Sequence, residues 1–173
     1  MLQPLPTHGF KWLNSEQEVR EDVERRCGCD LERITPDNKY GYVLEVDLEY
    51  PTDLHDAHND YPLAPENMLI EPSMLSPLTK QLQERLQLPR GNVEKLTPNL
   101  LNKTNYIVHY RNLQYYLQCG LRLTRIHRAV RFQQRPWMKP YIDFNTSMRA
   151  KATTSFEKDL FKLLNNAVFG ESS

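Results

Sequence analysis

Three cysteines in 173 residues are too few for a disulfide framework, and Cys27 and Cys29 stand too close together for an unstrained mutual bridge. Free thiols are expected. No apolar run approaches the roughly 18 residues of a membrane span, which excludes an integral helical membrane protein from the expectations. The opening Met-Leu-Gln-Pro-Leu-Pro-Thr-His has neither a basic stretch nor an apolar run of the secretory kind, so the expected location is intracellular, nucleus or cytoplasm, with no membrane partner. Internal repeats and low-complexity tracts are also missing. A length of 173 residues with 39% apolar and 25% charged side chains is that of one ordinary globular domain.

Net charge is absent as well, since 22 basic residues balance 22 acidic ones, but the balance is uneven along the chain. Residues 1–73 hold 6 basic and 16 acidic side chains, whereas residues 103–162 hold 12 and 3. The basic segment also carries ten of the 17 aromatics. Lysine and arginine gathered with aromatic rings suit a polyanion, because cations release condensed counterions from phosphates and rings stack on bases. An ordinary basic surface over an aromatic core has the same composition.

Periodicity predicts mixed elements. A charged surface helix is expected over residues 15–26, and a strand over 42–50, where Tyr42, Leu44, Val46 and Leu48 fall on one face. Residues 51–73, broken by Pro51, Pro62, Pro65 and Pro72, read as a long ordered loop, and residues 75–88 as an amphipathic helix. A strand over 104–110, a helix over 113–119 stopped by Gly120, and a strand over 121–127 follow. Helices over 137–151 and 155–169 finish the pattern, the last with Phe156, Leu160, Leu163, Leu164 and Ala167 as its buried stripe. The expected fold class is α+β, a mixed or antiparallel sheet backed by helices.

Two places carry candidate chemistry. The polar face of the first strand holds Glu45, Asp47 and Glu49 at alternate positions, a row that either water or a divalent cation must screen. On the last helix Lys158, Lys162, Asn165 and Phe169 share a face opposite the apolar stripe, with Lys151 on that side if the helical count runs back that far. His55 and His58 on a proline-bounded loop lack the helical geometry of a zinc site, and Cys27-Gly28-Cys29 has no second pair to complete one.

Taken together these segments resemble the family B DNA polymerases of the protein-primed branch, found in viruses and self-synthesising transposons. Residues 162–170, Lys-Leu-Leu-Asn-Asn-Ala-Val-Phe-Gly, are similar to motif B of that family, Lys-x-x-x-Asn-Ser-x-Tyr-Gly, with Ala167 and Phe169 as the replacements. Residues 46–51, Val-Asp-Leu-Glu-Tyr-Pro, resemble motif A, although two residues separate Asp47 from Tyr50 where the family has four, which leaves Glu45 as the alternative metal ligand. The resemblance spans residues 41–170. It implies a partial palm over 41–136 with an insertion at 51–100, a helical fingers hairpin over 137–170, a leader over 1–40 and a tail over 171–173. It also implies magnesium or manganese held by Asp47 or Glu45, and deoxynucleoside triphosphates (dNTPs) contacted by Tyr50, Lys151, Lys162, Asn166 and Phe169. Asp47 and Lys162 would be catalytic, with metal ions bridging phosphate oxygens and cations absorbing charge on the leaving diphosphate. The implied partners are a DNA template and primer, with a terminal protein as the alternative primer. The Asp-Thr-Asp of motif C occurs nowhere in the sequence, so the resemblance is to part of such an enzyme. The alternative function is a catalytically inactive remnant that holds DNA.

Overall fold

In the computed structural model, which describes residues 3–87 and 93–168, the alternation at Tyr42, Leu44, Val46 and Leu48 buries all four side chains on one face of strand β2, Tyr40–Glu49. Around it run β1 (Leu5–Leu13), helix α1 (Glu16–Cys27), α2 (His55–His58), β3 (Glu66–Met68), α3 (Pro77–Leu86), β4 (Lys95–Thr97), β5 (Lys103–His109), α4 (Tyr110–Gln118), β6 (Arg122–Arg135), α5 (Lys139–Lys151) and α6 (Ser155–Ala167). The chain is α+β. Its four-stranded sheet has the order β1-β6-β2-β5 with every neighbouring pair antiparallel, and β3 and β4 form a separate small hairpin. The order interleaves two split β-α-β units: β6 lies between β1 and β2, and β2 between β5 and β6.

One sheet face is covered. Val19 and Val23 of α1 and Leu113 of α4 meet Leu13, Leu44, Val46, Val108, Ile126 and Ala129 in a single core. Ser15 caps α1 by accepting from the Glu18 amide, and Gly28, at φ 67°, ends it in the left-handed conformation that glycine adopts at little cost. Inside this layer Asp22 is 1% exposed, yet it is fully matched: it pairs with Arg25 at 2.8 Å and Arg131 at 3.2 Å, and the Tyr42 hydroxyl donates to it at 3.1 Å. Burial alone would push the Asp22 carboxyl up, but these partners outweigh it and hold it below the usual carboxylate range, while burial raises Tyr42.

Four sequence expectations change, the first being that His55 and His58, expected on a proline-bounded loop, lie on the short helix α2. Much of the segment expected as a leader packs with the sheet: β1 is an edge strand of the main sheet, and α1 is a core helix, because two valines four residues apart suffice to anchor a helix when Leu13, Leu31 and Ile34 close around them. The strand expected over 121–127 runs on to Arg135, where pairing with β1 and β2 stabilises a stretch too polar to show alternation. The stripe expected on α6 is largely unburied. Phe156, Leu160 and Leu163 are exposed, and the half-buried residues are Glu157, Phe161, Leu164, Asn165 and Val168, on a helix whose principal packing is against α5. One neighbouring helix cannot cover an apolar face that wide.

The insertion between β2 and β5 is tied down by a buried lysine. Lys103, 1% exposed, donates to Glu66 at 2.8 Å and to Asn99, which joins the β3–β4 hairpin to the sheet. No described helix is long and apolar enough to cross a membrane.

Candidate functional site: the open face of the sheet

The sheet face opposite α1 and α4 carries Glu45, Asp47 and Glu49, and each meets a cationic or imidazole side chain from β6. Glu45 pairs with Arg128, Asp47 with His127 at 2.8 Å, and Glu49 with Arg122 at 3.3 Å. Two irregularities in β6 make this possible. The register slips between the Glu45–Arg128 and Val46–Ile126 pairs and again between Asp47–Arg125 and Leu48–Leu123, leaving His127 and Thr124 as extra residues. A bulge of this kind turns two successive side chains to one face. His127 and Arg128 therefore both reach the carboxylates although they are adjacent in sequence.

Asp47 is the most tightly held. Its Oδ1 accepts from the Asn105 amide at 2.9 Å as well as from His127, and the Thr124 hydroxyl donates to its carbonyl at 3.1 Å. Asn105 sits at φ 52°, a left-handed conformation that asparagine tolerates, within the irregular β2–β5 stretch between Val46 and Leu48. The amide bond from Asn105, then the imidazole of His127, holds the Asp47 carboxyl below the usual range.

Aromatic surface borders the charged rows. Trp12 on β1 is 56% exposed, with the Arg128 guanidinium 5.3 Å from its ring centre, and Phe10 is 63% exposed beside Phe132 at 6.2 Å. Ile107 on β5, opposite Glu45, is exposed too. The face thus combines arginine, an imidazole and open aromatic rings.

Asp47 and Glu45 are adjacent on this face, but Tyr50 is elsewhere. It is 3% exposed, its ring edges on His55 and His58, and its hydroxyl hydrogen-bonds His58 Nδ1 at 2.8 Å and accepts from the Leu63 amide at 3.3 Å. In this setting Tyr50 fastens the loop after β2. Lys151 ends α5, and Lys162 and Asn166 lie on α6, all exposed, on a helical hairpin that makes no principal contact with β2. Phe169, like Gly170, lies outside the described residues.

No family model matches the chain, and no curated protein or solved structure is significantly similar to it. Function therefore has to come from the site.

Both carboxylates expected to hold a divalent ion are engaged by β6 side chains. Among the described residues no group of three or more His, Cys, Asp or Glu side chains is placed to hold a metal, and His127 and Arg128 stand against the two carboxylates that would bind it. The residues the sequence did not single out, His127, Arg128, Arg122 and Trp12, are brought in by the bulges and by an edge strand with little alternation. The one legible signal was the density of arginine between residues 122 and 135.

Proposed function

We propose that this chain binds DNA across the open sheet face, as a partial palm and helical fingers hairpin of a protein-primed-type family B DNA polymerase. The observation that carries this reading is Arg125, without a carboxylate ion pair among the described residues, in line with Arg122 and Arg128 on β6, and Arg128 standing over the exposed Trp12 ring. Phosphates are neutralised by arginine, and unstacked bases find a ring, which matches a single strand or a primer–template junction. The α+β sheet with one bare face, followed by a helical hairpin bearing Lys151, Lys162 and Asn166, is in keeping with the resemblance at residues 162–170. In the intact enzyme, template-directed nucleotidyl transfer from dNTPs would draw its magnesium or manganese ions to Asp47 together with carboxylates outside this set.

Binding of a labelled primer–template, followed by fluorescence anisotropy across sodium chloride concentrations, tests the proposal. Affinity should fall steeply with salt, and the triple variant Arg122→Ala/Arg125→Ala/Arg128→Ala should bind at least tenfold more weakly with a shallower salt slope. A salt-independent affinity, or an unchanged one in the variant, rejects the open face as the DNA site.

The pairing of all three carboxylates with cationic or imidazole partners favours a second reading, in which the chain holds DNA without performing chemistry. Metal-dependent primer extension abolished by Asp47→Ala separates the two.

A further inference from the structure

At the far end of the sheet from Glu49 and Arg122, the ends of β1, β2 and β6 and the first turn of α5 line an open cleft of about 390 Å³. Its walls are of two kinds. Pro4, Pro36 and Pro136 supply apolar lining, while Lys39, Arg135 and Lys139 set three cations against one acid, Asp37. Backbone pairing fixes the frame: the Gln134 amide donates to the Lys39 carbonyl at 2.8 Å, Leu5 pairs with Arg135, and the Lys139 amide donates to the Pro136 carbonyl at 3.1 Å. Lys139 is shared with Asp143, whereas Lys39 and Arg135 have no carboxylate partner among the described residues.

Lys39 and Arg135 both line the cleft, and an anion with several oxygens offsets the repulsion between two such cations. Arginine can take two oxygens of one phosphate through its planar fork, and lysine adds a point charge. The volume lies at the small-ligand end of the pocket range, and the proline rings give an apolar wall for a ring or sugar. We propose that this cleft binds the terminal phosphate of a nucleotide, with Arg135 and Lys39 on the phosphate oxygens and the attached nucleoside against the prolines. The same phosphate monoester is offered by a free mononucleotide and by the 5′ end of a DNA strand. The site is separate from the open face: at ~3.3 Å per residue, β2 places Lys39 roughly 25 Å from Asp47.

The test titrates the whole chain with deoxythymidine monophosphate, with thymidine, and with one oligothymidylate bearing either a 5′-phosphate or a 5′-hydroxyl, each followed by calorimetry. The monophosphate should bind at least tenfold more tightly than thymidine. Lys39→Ala/Arg135→Ala should lose at least tenfold in monophosphate affinity with an unchanged thermal melt, and Asp37→Asn should gain severalfold, because it removes the one repelling charge. A preference for the 5′-phosphorylated strand over its hydroxyl counterpart supports a strand end as the natural source, and equal strand affinities with tight monophosphate binding support a free nucleotide. Thymidine and its monophosphate binding alike, no binding of either, or an unchanged affinity in Lys39→Ala/Arg135→Ala would overturn the assignment. Arg122→Ala/Arg125→Ala/Arg128→Ala should keep full monophosphate affinity, so failure of this site and failure of the open-face reading are told apart.

Discussion

Asp22 and Asp47 are carboxylates whose partners favour the charged form, one in the core and one on the open face. Both have folded pKa values depressed below the unfolded ones, so their stabilisation is complete above the ordinary aspartate range and is lost as pH falls through the depressed folded values. Urea midpoints should therefore hold level from pH 7 to about 5 and drop below about pH 4. Asp22→Asn should flatten that acid limb while costing about 1–3 kcal/mol at pH 7, because the largely buried Arg131 loses its charged partner. Equal acid sensitivity in the variant would remove Asp22 from the account. Gly41 is a second residue-scale test: a Cβ there would come within 2.5 Å of Phe132 Cε2, a ring that is itself 2% exposed. Gly41→Ala should lower stability by about 1–3 kcal/mol in chemical denaturation, as overpacking does.

At the scale of elements, α1 and α6 exchange the places that their compositions suggest. The acidic α1 is anchored in the core by Val19 and Val23, while the more apolar α6 leaves Phe156, Leu160 and Leu163 in solvent. Val19→Ala should cost about 1–3 kcal/mol of folding stability, whereas Leu163→Ala should stay within about 0.5 kcal/mol. A large loss at Leu163 would show that α6 is covered in solution. Lys162→Ala, on the exposed side of the same helix, should leave the melt unchanged and weaken triphosphate binding if the hairpin acts as fingers. Helix α6 starts at a capping box, Thr154 accepting from the Glu157 amide and Glu157 reaching back to the Thr154 amide.

For the whole molecule, purified chain should not extend a primer above background with magnesium or manganese. Two-metal transfer needs carboxylates holding ions about 3.5–4 Å apart, and the described residues offer one strand of carboxylates already paired with Arg128, His127 and Arg122. Robust incorporation that disappears in Asp47→Ala would refute this and favour the catalytic reading over the DNA-holding one. The sequence by itself determined β2, the α+β class, the Gly120 stop and the basic character of residues 103–162, because alternation, caps and charge are local properties. Only the tertiary structure decided the rest. It recruited residues 5–13 into the sheet, turned His127 and Arg128 to one face through a bulge, and set Tyr50 in the core behind Asp47. Each of those outcomes depends on register and on neighbours far away in the chain, and a one-residue slip in pairing exchanges the faces of a strand without altering a single letter of its sequence.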